Sequence, residues 1–99
     1  MSTRILRATV KPEHVADLEA AVGKLFAALD EYRPEGLRYA SARVDGTRDY
    51  VVLLQLDDGL ENPLPTYPEF LAFQAGLGTW VESAPTPEVL SVVGSYRLF

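Results

Sequence analysis

Residues 37–56 read LRYASARVDGTRDYVVLLQL, two runs of strand-forming residues on either side of Asp45-Gly46. An Asp-Gly pair between such runs is a strong hairpin signal, because both central turn positions favour positive φ. The pattern therefore predicts a strand over residues 37–44 and another over residues 49–56. The second run is apolar on both of its faces, which favours a central strand covered on both sides.

Helices are predicted on both sides of this hairpin. Pro12 can begin a helix, and apolar residues then recur at three- and four-residue steps as far as Leu29. After the hairpin, Thr66-Tyr67-Pro68-Glu69 has the form of a capping box and predicts the start of a second helix. Gly76 and Gly78 weaken that helix and predict a bend or an early end near them.

Strands over residues 3–10 and 89–99 complete the order βαββαβ. This order predicts a ferredoxin-like α+β fold with a four-stranded antiparallel sheet, because right-handed crossovers put both helices on one face. Residues 1–99 are long enough for one domain and no more.

Alternation of side chains divides the strand residues into two sets, one for each face of the sheet. The apolar set, predicted to face the helices, comprises Leu6, Ala8, Val10, Ala40, Ala42, Val44, Val52, Leu54, Leu56, Leu90, Val92, Gly94 and Tyr96. The mixed set comprises Ile5, Arg7, Thr9, Tyr39, Ser41, Arg43, Val51, Leu53, Gln55, Ser91, Val93, Ser95 and Arg97. A face that is aliphatic in the middle and polar around it suits packing on a second sheet.

The composition excludes several classes of protein. The formal net charge of −5 is unfavourable for binding a phosphate backbone, so no nucleic-acid partner is expected. The chain has one histidine and no cysteine, which removes disulfides and leaves no strong transition-metal site. Neither a signal peptide nor a membrane span is apparent, and no motif for a cofactor is present. We expect a cytoplasmic protein that uses no metal and no cofactor.

The chain resembles the antibiotic biosynthesis monooxygenase-like family of the dimeric α+β barrel superfamily. The resemblance rests on the order of elements, the first helix ending in Pro34-Glu35-Gly36, the paired middle strands and the Pro68-Glu69-Phe70 start of the second helix. It implies a dimeric α+β barrel, in which the sheets of a homodimer meet face to face, and a pocket between sheet and helices in each subunit. Members include cofactor-independent oxygenases of polycyclic phenols and haem-degrading enzymes.

Two branches of this family can be compared with the chain. The haem-degrading branch has a histidine near the end of the second helix and an asparagine on the first strand, and this chain has neither. The quinone-forming branch has an asparagine, a tryptophan and an arginine around its pocket. Trp80 and Arg97 are the candidates for two of these, although no spacing supports the match.

Three side chains are weak candidates for catalysis. His14 lies in the first turn of the first helix, where a helix dipole disfavours the charged imidazole, and it could act as a base. Tyr39 and Arg43, together with Arg7 on the same mixed face, could hold an anionic or enolate substrate through charge-assisted hydrogen bonds. An exposed helix histidine, and polar pairs across a dimer interface, are the simpler interpretations of these residues.

Aromatic side chains on the two helices could line a pocket for a flat aromatic ligand. These candidate ligand-binding residues are Phe26, Phe70, Phe73 and Trp80. Helical spacing of aromatic residues is more often a plain hydrophobic core.

The sequence leaves three functions open and does not settle whether the chain is an enzyme. The first is a cofactor-independent monooxygenase or an isomerase of an aromatic or enolisable small molecule. The second is a non-catalytic ligand-binding or stress-related dimer. The third is a structural dimer without a small-molecule site. A pocket with a buried titratable group beside Trp80 would favour the first, a purely apolar pocket the second, and a filled core the third.

Overall fold

The computed structural model describes residues 2–98 and contains the predicted order of elements. The elements are β1 (Ser2–Thr9), α1 (Val15–Tyr32), β2 (Leu37–Arg43), β3 (Asp49–Leu56), α2 (Pro68–Trp80) and β4 (Glu88–Leu90). The strands form one antiparallel sheet in the order β2-β3-β1-β4. The predicted ferredoxin-like α+β fold is confirmed.

The first helix is shorter at both ends than the prolines at positions 12 and 34 predict. Pro12 starts a short 3₁₀ turn, and the α-helix follows from Val15. Arg33 adopts a left-handed conformation with φ 48° and donates its backbone N–H to the carbonyl of Leu29, which ends α1 before Pro34. Within residues 2–98, no helix has the combination of length and hydrophobicity that a membrane span requires.

The second helix begins at Pro68 without the predicted capping box. The Thr66 hydroxyl instead donates to the carbonyl of Pro63 over 2.6 Å, and Tyr67 occupies the N-cap without a side-chain hydrogen bond. The helix continues through Gly76, where a Cβ atom would clash with the Trp80 ring. This glycine makes room for an aromatic ring and does not end the helix.

The hairpin register determines which side chains of β2 face the helices. Arg43 lies opposite Tyr50, and Tyr39 lies opposite Leu54. Directly opposed residues share a face, so Tyr39, Ser41 and Arg43 lie on the helix-covered face with the even-numbered residues of β3. The predicted placement of these three residues on the open face is wrong, and so is the placement of Ala40 and Ala42 against the helices.

The hydrophobic core lies between the sheet and the two helices. It joins sheet residues to both helices and contains Val10, Leu18, Leu25, Tyr50, Phe73 and Val81. The predicted assignment of β1 and β3 is correct here, since Val10 and the even-numbered residues of β3 point to the helices.

The opposite face has an apolar centre and a polar edge. Ile5, Leu53 and Ala40 form one row across three strands, and Arg7, Val51 and Ala42 form the next. A third row is polar: buried Gln55 donates to Thr3 over 3.1 Å and accepts from Arg38 over 3.3 Å. With alanines in place of the tyrosine and serine expected there, this face is more apolar than the sequence predicted.

The last strand is much shorter than predicted. Strand β4 contains only three residues, and Leu90 lies opposite Thr3. Continuing that register would place Ser91 opposite Ser2, the first residue of β1, so later residues would pass the end of the strand. Residues 91–98 are exposed, with Val93 fully accessible and Tyr96 83% accessible. The predicted strand over 89–99 is therefore wrong beyond residue 90, and Phe99 lies outside the described residues.

Candidate functional site

A cavity of about 200 Å³ lies between the sheet and α2. Its floor is formed by the sheet residues Arg4, Leu6, Tyr39, Val52 and Leu54. Its roof is formed by Phe70, Phe73, Gln74 and Leu77 of α2, and Leu64 and Pro87 close its sides. The other large depressions, of about 640, 590 and 400 Å³, are open grooves on the surface. This cavity is thus the more enclosed place for a small molecule.

The strand register places the two polar side chains of the floor on the same face of the sheet, with one strand between them. Arg4 and Tyr39 both lie opposite Leu54, one on each side of β3. Their Cα atoms are therefore about 10 Å apart, two strand spacings, and their side chains project from the same face. Long side chains at this separation can reach one ligand between them.

Tyr39 presents a phenol to the cavity. Its ring stacks on Phe26 with centroids 5.4 Å apart, and it is partly buried. Burial raises the pKa of Tyr39 to about 12, since the anionic form would be poorly solvated. Within residues 2–98 its hydroxyl has no hydrogen-bond partner. At neutral pH this hydroxyl stays protonated and is available as a hydrogen-bond donor.

Arg4 supplies the positive charge of the cavity. Arg38, Arg43 and Arg48 each form an ion pair with a carboxylate. Arg4, by contrast, makes neither an ion pair nor a hydrogen bond with any described residue. Its side chain both lines the cavity and reaches solvent. A guanidinium in this position can bind an anionic ligand group through charge-assisted hydrogen bonds.

Taken together, these side chains suit a planar ring that bears an anionic oxygen. Phe70 and Phe73 offer apolar surface to the ring, while Tyr39 and Arg4 stabilise negative charge. The lining described by the structure contains no carboxylate and no imidazole. The arrangement can therefore bind and polarise a phenol or enol, but it offers no side chain that would accept its proton.

Arg43 takes part in a separate polar cluster on the same side of the sheet. It contacts the carboxylate of Glu19 over 3.3 Å, and that carboxylate also accepts a short hydrogen bond from Tyr50. Burial and the hydrogen bond to Glu19 raise the pKa of Tyr50. This cluster ties α1 to β2 and β3 outside the cavity, so the structure does not bring Arg43 together with Tyr39.

The remaining candidates from the sequence lie apart from the cavity. The Nδ1 atom of His14 is 2.9 Å from the carboxylate of Asp17 at the start of α1. Trp80 covers Gly76 and lines an open groove between the two helices. Of the four predicted aromatic residues, Phe70 and Phe73 line the cavity, and Phe26 lies behind Tyr39.

Sequence reasoning missed Arg4 and Gln74. The signal for Arg4 was present, because it continues the two-residue alternation of Leu6, Ala8 and Val10, all of which face the helices. A charged residue in phase with an apolar set is unusual and deserves a functional explanation. Gln74 had no comparable signal, since a glutamine on a helix is normally exposed.

No protein-family model matches the chain, and no curated protein matches it significantly. Solved structures do resemble it. A candidate antibiotic biosynthesis monooxygenase from Caulobacter crescentus is 24% identical, with a TM-score of 0.71 over 94% of this chain and 90% of that one. A second, from Bacteroides thetaiotaomicron, is 14% identical with a TM-score of 0.76 over 93% and 89% of the two chains. A third, from Nitrosomonas europaea, is 13% identical with a TM-score of 0.74 over 93% and 89%.

These comparisons establish the fold. The chain has the ferredoxin-like α+β fold of structures described as antibiotic biosynthesis monooxygenases, over nearly its whole length. The resemblance inferred from the sequence is thus confirmed in fold.

Proposed function

We propose that the chain binds a small aromatic or enolisable molecule in the cavity and acts as a cofactor-independent monooxygenase. The observation that carries this proposal is a pair of polar groups without a partner among residues 2–98, the Tyr39 hydroxyl and the Arg4 guanidinium, on the floor of one mainly apolar cavity. The names of the similar structures support the class of reaction, and they say nothing of this chain's own substrate.

The proposed chemistry needs only the substrate and O₂. Positive charge and a hydrogen-bond donor lower the pKa of a bound phenol, so its proton passes to water at the open end beside Arg4. The phenolate carbon then reacts with O₂, and one oxygen atom stays on the ring. For a simple phenol the balance is C₆H₆O + O₂ → C₆H₄O₂ + H₂O, in which the substrate supplies all the electrons. Tyr39 stabilises the oxyanion throughout.

Oxygen consumption tests this function. Phenol, 1,3-dihydroxybenzene and acetylacetone would be incubated with the protein and isotopically labelled O₂, and the product would be examined for one labelled atom. Tyr39→Phe should lower the rate by about a hundredfold, because it removes an oxyanion donor. The matched control Tyr32→Phe alters an exposed tyrosine that does not line the cavity and should leave the rate unchanged. Equal rates for Tyr39→Phe and the native chain would rule out the proposed role.

A non-catalytic ligand-binding protein is the second candidate. It is favoured by the absence of a carboxylate or an imidazole from the described lining, which leaves no side chain to accept a proton. Binding of phenol without consumption of O₂ would decide for this alternative. A structural dimer without a small-molecule site is the weakest candidate, because a cavity of about 200 Å³ is not a filled core.

We further propose that the protein is a homodimer. The apolar centre of the open sheet face contains Ile5, Leu53 and Val51, which suits burial against a second sheet. Three strands of seven or eight residues and one of three, about 4.8 Å apart, give a footprint of only about 410 Å². A stable interface buries about 800 Å² per partner. The face therefore needs a second contact.

Residues 91–98 are the proposed second contact. Among the described residues strand β2 is an edge strand that pairs with β3 alone, and it is one residue shorter than the eight-residue segment 91–98. We propose that the segment of one copy pairs with β2 of the other. Val92, Tyr96 and Leu98, all exposed in one copy, would then be covered.

Sizing chromatography tests the dimer. Leu53→Asp should produce a folded monomer, because it puts a charge in the centre of the proposed interface. Ala27→Asp introduces the same charge on the exposed side of α1 and should stay dimeric. A stop after Leu90 should also weaken association. A native chain that is monomeric at micromolar concentration would exclude this assembly. The expected cytoplasmic location stays a prediction.

A further inference from the structure

We propose that the cavity is selective for a single aromatic ring with one anionic group, and that Arg4 recognises the anion. This inference rests on the proposed function, because it takes the same cavity as the binding site. It goes further by setting an upper limit on ring number and by giving the sign of the ligand's charge. Both follow from the walls of the cavity.

The volume sets the limit on size. A protein cavity of about 150 Å³ holds one benzene molecule, so each non-hydrogen atom needs about 25 Å³. On that scale a cavity of about 200 Å³ has room for about eight non-hydrogen atoms, which is one ring and part of its substituent, so the end of an anionic group lies at the mouth beside Arg4. A three-ring skeleton has fourteen carbons and would need about 350 Å³. A single ring fits, whereas a polycyclic phenol does not.

The walls cannot move apart at low cost. Phe73 and Leu64 are 3% and 0% accessible, so both are held by the surrounding core. The Tyr39 ring is fixed from behind by its stacking on Phe26. Forcing additional atoms into a packed core displaces side chains and is destabilising. The limit on size is thus a property of the folded chain.

The charge of the lining determines the charge of the ligand. Arg4 is the one ionised residue in the described lining of the cavity, and the chain as a whole has a net charge of −5. The carboxylate of Glu88, on the neighbouring strand, belongs to a residue opposite Ile5 and so projects from the other face. No described carboxylate neutralises Arg4. An anionic group is therefore stabilised at the mouth, and a cationic group is repelled.

Titration calorimetry with four probes tests the inference. Benzoate, 2-naphthoate and anthracene-9-carboxylate carry the same anion on one, two and three rings, and benzamidine is a cation of the size of benzoate. We expect benzoate to bind, 2-naphthoate to bind at least tenfold more weakly, and the other two probes not to bind. Arg4→Met should weaken benzoate binding about tenfold. Arg7→Met changes an arginine on the opposite face of the same strand and should leave it within twofold.

A second variant tests the limit on size independently. Leu77→Ala shortens a roof side chain and should improve 2-naphthoate binding relative to benzoate, and Phe70→Leu serves the same purpose if Leu77→Ala does not fold. Anthracene-9-carboxylate binding as tightly as benzoate would overturn the size limit, and benzamidine doing so would overturn the charge preference. In either case the loss of O₂ consumption in Tyr39→Phe would still support the proposed function. Failure of every probe and of phenol to bind would instead refute the site itself.

Discussion

The phenol of Tyr39 makes the stability of the protein depend on pH in the alkaline range. Its pKa is about 12 in the folded chain, against an ordinary value of 10.0. A raised pKa means that the folded state holds this proton more tightly than the unfolded state. The stabilisation is fully present below pH 10 and is lost as the pH rises through 12. A difference of about two units corresponds to about 2.7 kcal/mol of unfolding free energy.

Replacing Tyr39 by Phe removes this dependence. Urea unfolding of the native chain and of Tyr39→Phe would be compared at intervals from pH 8 to pH 12. Relative to the variant, the native chain should lose about 2–3 kcal/mol across this range. Tyr32 and Tyr50, whose pKa values are also raised, are present in both proteins and cancel in the comparison. A constant difference between the two curves would show that the Tyr39 ring is not buried as described.

Three further predictions follow from local contacts. Gly76→Ala should lower the unfolding free energy by about 1–3 kcal/mol because the new methyl group meets Trp80. Gly78→Ala has open space around it and should raise the unfolding free energy by about 0.5–1 kcal/mol. A higher Tm for both variants in thermal unfolding would contradict the described packing of Trp80 on Gly76. Arg33→Gly should stabilise the chain by up to about 1 kcal/mol, since glycine adopts the left-handed conformation without strain, and an unchanged urea midpoint would argue against that conformation. Arg43→Asp should lower the unfolding free energy by up to about 1 kcal/mol, because it breaks the ion pair between Arg43 and Glu19 of α1. The elution volume in sizing chromatography should stay unchanged. A shift to the monomer would indicate that Arg43 lies in the dimer interface after all.

Local patterns predicted most of the fold. The alternation in residues 3–10 and the apolar run in residues 49–56 identified the two central strands and their inward faces correctly. The prediction of which β2 residues face the helices was wrong, because it depends on which residues of β2 and β3 lie opposite each other across the turn. Both β2 faces carry small or polar residues, so composition could not reveal that register. The predicted length of β4 was wrong because alternation within residues 89–99 does not show how many of them pair with β1.

The candidate site was predictable only in part. Phe70 and Phe73 were expected to contact a ligand because both are aromatic residues on one helix, and they do line the cavity. Tyr39 was identified for its chemistry but placed on the wrong face. Arg4 lies more than thirty residues from any other polar residue of the lining, and only the pairing of three strands brings it beside Tyr39.

The two edges of the sheet differ in length. Residues 84–87 lead from Val81, which bridges to Val10, into β4, and Pro85 and Pro87 have no N–H to offer another strand. Strand β4 has only three residues, so in the described chain β2 is the longer of the two edge strands to which a foreign strand can add. In the proposed dimer, each molecule contributes one donor segment, 91–98, and one acceptor edge, β2. If two copies each place this segment on the other's β2, they form a closed dimer. If each copy instead places its segment on β2 of a further copy, the chains assemble into a linear polymer.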